Sequence, residues 1–377
     1  MALKTNMKIP DIKICTIILA ILSLAISVRD ATADPTEKLR WHDARTLTLE
    51  GKGWLETKSF YDRLPSRAEK IVRAAVWNLS RDSSGMGVRF VTDATTISAR
   101  WVLRKELLAM PHMAASGVSG VDLYVREQGK WRWIGAGRPK QFPTNEAVVL
   151  KTAPSKTREY ILYFPLYNGL NSVEIGVPND AKFEAAPSRP EKKPIVIYGT
   201  SILQGACASR PGMAYPAILG RRLDWPTINL GFSGNAWSEP EVAQLLAELD
   251  PAIYVLDPLP NMDSSGVEKR MESFIKILRQ AHPPTPIVLV ENLEYPDGLL
   301  VETRRDKYTK SNAALREIYR RLKKSGEKNL HYISAENLIG NDGDATVDGT
   351  HPNELGFERM ADKIEPVLRK LLKTRSR

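Results

Sequence analysis

The feature that most constrains the fold is a change of periodicity between residues 179 and 193. Before it, from Trp41 to about Pro178, short alternating or apolar segments are separated by turn residues. They run over Gly87 to Val91, Thr96 to Val102, Val121 to Val125, Trp131 to Trp133, Tyr160 to Phe164 and Val173 to Val177. A period of two suits half-buried strands, and this spacing predicts an all-β sandwich of jelly-roll type. After it, short apolar runs (Ile195 to Tyr198, Thr227 to Leu230, Ala252 to Leu256, Ile287 to Val290, His331 to Ile333) alternate with amphipathic stretches. Those stretches cover Met213 to Leu223, Pro240 to Leu249, Val267 to Ala281, Arg304 to Lys324 and Glu354 to Leu372. Such alternation predicts a flavodoxin-like three-layer α/β/α sandwich around a parallel sheet of about five strands, with chemistry at the carboxyl ends of the strands.

At 377 residues the chain is long for one domain. The expected division is a β-sandwich domain over 34–178, a Pro-, Ala- and Lys-rich linker over 179–193, and an α/β domain over 194–377. Residues 1–33 have the layout of a cleavable export signal: Lys4, Lys8 and Lys13, an apolar run from Ile14 to Val28, then Ala31-Thr32-Ala33. The run is about 15 residues, short of the roughly 20 a spanning helix needs. A mature chain beginning at Asp34, secreted or periplasmic, is expected, with an uncleaved anchor as the alternative.

Cys15 lies within that signal, so Cys207 is the lone cysteine of the mature chain and no internal disulfide can form. Neither cysteines nor histidines show metal-ligand spacing, so no metal and no cofactor is expected. The formal net charge of +10 is spread over 304–324 and 369–377 without interleaved aromatics. That distribution predicts a solvated basic face rather than a nucleic-acid site.

The candidate chemistry begins at Asp348-Gly349-Thr350-His351-Pro352. Of the five histidines, only His351 has a carboxylate at a useful offset. An imidazole oriented by a buried carboxylate is what a hydroxyl nucleophile needs to lose its proton. The same turn could equally cap the helix that follows it, and the motif alone leaves the two readings even.

The other strand ends add weight to catalysis. The first runs into Tyr198-Gly199-Thr200-Ser201, the second into Ser233-Gly234-Asn235, and the third into Asp257-Pro258-Leu259-Pro260-Asn261. Each supplies a group that acyl transfer requires. In this order the residues resemble the SGNH hydrolases, the GDSL esterase/lipase family, over about 194–372, in an exported bacterial subgroup with an N-terminal β domain. The resemblance implies Ser201 as nucleophile, His351 as general base and Asp348 as its orienting acid. It implies an oxyanion hole made by the Ser201 and Gly234 N–H groups and the Asn261 amide. Thr200 stands where the family usually has aspartate, and Pro260 where it has glycine.

Asn235, Thr200 and His112 are further candidates for contacting substrate. Of the sandwich aromatics Trp54, Tyr61, Trp77, Trp101, Trp131 and Trp133, core packing is the expected role. The function implied is hydrolysis of carboxylic esters, O-acetyl or short-acyl groups on carbohydrates. A lipid esterase or lysophospholipase and a non-catalytic glycan-binding protein are the alternatives. The expected partner is an ester-bearing small molecule or polysaccharide, without nucleic acid, membrane insertion of the mature chain or an obligate protein partner.

Overall fold

The computed structural model describes residues 38–375. The expected export signal, Cys15 and the start at Asp34 lie outside the described residues. Among the described residues, no helix is long and apolar enough to cross a membrane.

Ten strands build the N-terminal part: β1 (Leu39–Asp43), β2 (Thr48–Glu50), β3 (Gly87–Thr92), β4 (Ile97–Leu103), β5 (Val121–Glu127), β6 (Lys130–Gly137), β7 (Thr144–Leu150), β8 (Arg158–Tyr163), β9 (Leu170–Pro178) and β10 (Phe183–Ala185). They form two antiparallel sheets. One has the order β1-β9-β4-β7; the other has β10-β3-β8-β5-β6, with β2 also paired to β3. Alternate residues of both sheets meet in one core: Ala99, Trp101, Val173 and Ile175 from the first, Val88, Phe90, Leu123 and Leu162 from the second. This is the period-two pattern read from the sequence. Strand β7 was not anticipated, because Thr144-Asn145-Glu146 is polar; it sits at a sheet edge, where polar residues are tolerated. The stretch 179–193 is tied down on both sides, since β10 pairs with β3 and Arg189 bonds Asp224 at 2.9 Å.

The C-terminal part has five parallel strands: β11 (Ile195–Gly199), β12 (Thr227–Gly231), β13 (Ile253–Asp257), β14 (Ile287–Val290) and β15 (Leu330–Ile333). Their order is β12-β11-β13-β14-β15, a doubly wound arrangement whose order reverses beside β11. Ile195, Ile197, Ile253 and Val255 face one core, with helices α4 (Tyr215–Leu223) and α8 (Glu354–Arg375). Val196, Tyr198, Tyr254 and Leu256 face the other, with α5 (Pro240–Leu246), α6 (Ser264–Ala281) and α7 (Glu302–Lys324). Three layers result, as expected; two short helices of the N-terminal part, α1 (Ala74–Ser80) and α2 (Ala115–Val118), precede them in the chain.

The aromatics divide differently from expectation. Tyr61 and Trp101 are in the sandwich core. Trp54 and Trp77 are buried too, but in the second core of the parallel sheet, because residues 54–80 cross onto that face. Trp131 is half-buried, and Trp133 is 49% exposed with its indole N–H on Asp122 Oδ1 at 2.7 Å.

The two parts are joined by a buried cation. Arg63, 1% exposed, donates to Leu79 O (2.7 Å), Asp82 O (2.8 Å), Gly231 O (2.8 Å) and Asn229 O (3.2 Å). Burial pulls its guanidinium down to about 10, which leaves it charged at neutral pH. Removing such a group orphans several buried acceptors at once. Arg63→Met should therefore destabilise the protein by about 3–5 kcal/mol, the scale of an uncompensated buried polar cluster. Denaturant unfolding with an unchanged m-value and a lowered midpoint would register this; an unchanged midpoint would show the clamp to be dispensable.

Candidate active site

Strand β11 ends at Gly199, where a Cβ would lie 2.7 Å from Asp257 O, so the chain can turn there only without a side chain. Thr200 is extended and fully buried, and its hydroxyl accepts the Ile202 N–H at 3.3 Å. It caps the short helix α3 (Ser201–Gln204), so its hydroxyl is engaged by the backbone. Ser201 is the first residue of α3, and its Oγ lies 2.9 Å from His351 Nε2.

His351 Nδ1 is 2.7 Å from Asp348 Oδ2. The other carboxylate oxygen, Oδ1, accepts the backbone N–H groups of His351 (2.8 Å) and Thr350 (3.0 Å). Gly349, at φ +78°, makes this tight turn possible. Partial burial pushes the Asp348 carboxyl up, but the bonds from the His351 ring and from both backbone N–H groups outweigh it and hold the carboxyl below its ordinary range. An ionised carboxylate only accepts, so Nδ1 carries the proton and the Nε2 lone pair takes the Ser201 hydroxyl hydrogen. Asp348 is not buried as expected: its side chain is 35% exposed. It acts through hydrogen bonds rather than through a dry environment.

The capping question also has an answer. Helix α8 begins at Glu354, and Asn353 Oδ1 accepts the Gly356 N–H at 3.1 Å. Asn353 is the cap, and both oxygens of Asp348 serve its own turn.

The loop after β12 is bound to the first strand end through Phe232 N–H on Gly199 O at 2.8 Å. Gly234 is exposed at φ +69°, and Trp237 Nε1 donates to its carbonyl at 3.0 Å. Asn261 Oδ1 accepts Ala236 N–H at 3.2 Å, which turns the amide NH2 the other way. Gly234 and Asn261 line one open cavity of about 580 Å3 with Trp237, Asp263, Arg270 and Lys307. Asn235 is engaged by the protein at both ends, accepting from Arg73 Nη1 (2.8 Å) and donating to Ser233 O (2.8 Å). Its amide braces the loop. His112, exposed on a sandwich loop, has its ring centroid 5.7 Å from that of His351.

Several supporting groups escaped the sequence reading. Arg304 Nη2 donates to Gly349 O (2.6 Å) and Thr350 Oγ1 (2.8 Å), while its Nε bonds Asp297 (2.8 Å). In sequence it was one cation among many on a helix, so the expectation of a purely solvated basic face is wrong at this position. Gln204 Oε1 accepts Ser233 N–H (3.1 Å), and its amide donates to Asp82 Oδ2 (3.2 Å). Tyr167 Oη donates to Ser201 O at 3.3 Å. Asp257, a further acid at a strand end, is fully enclosed; burial pushes it up to about 7 and Tyr215 Oη donates to it at 3.0 Å. Cys207 is buried, and burial with nearby Asp348 and Glu354 pushes its thiol up to about 12. It is therefore no nucleophile at neutral pH.

Comparison with known proteins places the chain in a family. The model of the GDSL-like lipase/acylhydrolase family matches residues 192–369, and that of the N-terminus of the SGNH-hydro-type esterases matches 39–183. A crystal structure from Bacteroides ovatus ATCC 8483, of a protein assigned to the GDSL-like lipases, is 38% identical with TM-score 0.85, covering 89% of this chain and 98% of that one. The chain belongs to the GDSL-like lipase/acylhydrolase family, and it is a carboxylic ester hydrolase of that family. The same fold is found in the salicylyl-acyltransferase SsfX3 of a tetracycline biosynthetic pathway (20% identity, TM-score 0.71, 88% of this chain and 97% of that one). It is also found in a family two carbohydrate esterase from Clostridium thermocellum in complex with cellohexaose (15%, TM-score 0.56, 77% and 93%). No curated protein matches the chain.

Arg304 holds the Asp-His turn from outside, so it is a positioning residue. Arg304→Ala should lower kcat on a p-nitrophenyl ester by about 10- to 100-fold, the cost of a small misplacement, while KM moves little. Arg304→Lys should recover part of the loss. A rise in KM with kcat unchanged would place Arg304 in substrate binding instead.

Proposed function

We propose that this chain is a secreted or periplasmic carbohydrate esterase that removes acetyl or other short acyl groups through a Ser201-His351-Asp348 triad. The observation that carries the reading is the unbroken hydrogen-bonded series from Ser201 Oγ through both nitrogens of His351 to Asp348. His351 Nε2 takes the Ser201 proton as Oγ attacks the ester carbonyl. Asp348 stabilises the imidazolium that forms, and the imidazolium then protonates the leaving alcohol. Water, deprotonated by the same nitrogen, hydrolyses the acyl-enzyme and returns Ser201. The oxyanion is received by the N–H groups of Ser201 and Gly234 and by the Asn261 amide, whose direction Ala236 sets.

The short-acyl preference is supported by the cavity beside Gly234 and Asn261, which Asp263, Arg270 and Lys307 line with charged groups next to Trp237, Pro260 and Met262. A polar, open cavity suits a hydroxyl-rich leaving group better than a lipid tail. His112 brings the sandwich to the rim of the site, consistent with a role for that part in selecting the sugar. Export is supported by the residues at 1–33.

Loss of one oxyanion donor should cost about 10²- to 10³-fold in kcat. Asn261→Ala is expected to fall in that range, and activity within a few-fold of wild type would remove Asn261 from the hole. Across p-nitrophenyl esters of increasing acyl length, kcat/KM should drop after the shortest chains, with Ser201→Ala inactive throughout. Preference for long chains would favour a lipid substrate, and turnover independent of Ser201 would defeat the mechanism.

A further inference from the structure

Beside the Ser201 hydroxyl, donors of three chemical kinds converge. An imidazole nitrogen of His112, one of His351, the Cys207 sulfur and an oxygen of Asp348 all lie within 4.8 Å of one another. They come from the sandwich loop around Met110–Met113, the turn after α3, and the loop ahead of α8. We propose that this tetrad binds a thiophilic divalent cation, Zn2+ above all, and that the bound ion switches the hydrolase off.

Two imidazoles, one thiolate and one carboxylate form a tetrahedral donor set of the kind Zn2+ takes. Mg2+ and Ca2+ prefer all-oxygen shells and are selected against. Bond lengths of about 2.0–2.3 Å place tetrahedral ligands roughly 3.3–3.7 Å apart. Closing the tetrad from 4.8 Å thus takes on the order of 1 Å of movement, which exposed His112 can supply. A second observation concerns the backbone. Cys207 is a non-glycine residue at φ +70°, in the left-handed region, and it is only 6% exposed. Such strained positions gather at ligand sites, where the surrounding structure enforces them. Ala206 N–H on Ser201 O at 2.8 Å fixes the turn that carries it.

The balance is one of protons only. As the Zn–S bond forms, the Cys207 thiol proton leaves to solvent. If the ion takes Nδ1 of His351, that proton leaves as well and the bond to Asp348 is replaced by a shared metal. No electron is transferred. Either way His351 and Asp348 are no longer arranged to receive the Ser201 proton. The inhibitory half of the proposal rests on the triad reading above; the binding half does not.

The experiment uses the full chain with Co2+ and Zn2+ as probes. Wild type titrated with Co2+ should develop tetrahedral visible bands and a near-ultraviolet thiolate-to-cobalt band. Cys207→Ser should lose the thiolate band. Zn2+ affinity, measured by competition with a chelator, should fall in Cys207→Ser and in His112→Ala by at least the roughly 10- to 100-fold that even outer partners of a metal contribute. Affinity should rise with pH, since ligand protons must leave. Zn2+ should inhibit wild-type ester hydrolysis reversibly, with EDTA restoring the rate. Each variant, normalised to its own metal-free rate, should need correspondingly more Zn2+. His112 is on the surface, so His112→Ala tests the site even if Cys207→Ser fails to fold. Absence of a thiolate band in wild type, or equal Zn2+ sensitivity in wild type and both variants, overturns the proposal. A protein inactive without metal that still shows the cobalt band would refute the triad reading while supporting the site.

Discussion

Arg63 directs its buried guanidinium onto four carbonyl oxygens. Its guanidinium is enclosed, and the acceptors within reach are Leu79 O and Asp82 O from one part of the chain and Asn229 O and Gly231 O from the end of β12. A buried cation with its donors satisfied is rigid, because any displacement strands a donor in a low dielectric. The strand end that leads to Gly234 is therefore positioned by a residue over a hundred positions earlier. Asp82 continues the connection: it receives Gln204 from α3, and Gln204 in turn receives Ser233 N–H. The helix that begins at Ser201 and the loop carrying Gly234 are braced against the same buried polar cluster, so the N-terminal part serves as scaffold for the candidate site and not merely as its neighbour.

That arrangement explains how an incompletely buried triad can be well defined. Asp348 and His351 sit on an accessible turn, 35% and 20% exposed at their side chains, where solvent weakens any single charge interaction. Order comes from the number of directed bonds. Both backbone N–H groups of the turn point at Asp348, and Arg304 holds Gly349 O and Thr350 Oγ1 from helix α7. His112 also lies close to His351, and an open cavity lies beside Asn261.

The placement of Cys207 shows how a catalytic site can acquire a second chemistry. An isolated thiol in an apolar turn is inert. Next to two imidazoles and a carboxylate it completes the proposed soft-metal donor set, and two of the four groups, His351 and Asp348, are already held by bonds of their own.

Much of this protein was determined by local pattern. Period-two alternation in segments such as Val88 to Phe90 and Val173 to Ile175, and apolar runs alternating with amphipathic stretches after residue 193, specify strands and helices because each side chain's face follows from its position in the repeat. That Ser201, His351 and Asp348 come together was legible because strand ends and tight turns carry short-range signatures. What local pattern could not reach was long-range. Trp54 and Trp77 looked like sandwich core and pack instead on the parallel sheet; Thr200 and Asn235 looked like substrate contacts, and their side chains form a cap and a brace. Arg63, Arg304 and the His112-Cys207 approach depend on residues brought together from distant parts of the chain. Only tertiary structure decides them, because a hydrogen bond or a metal site is set by distance in space, and no repeat in the sequence encodes that distance.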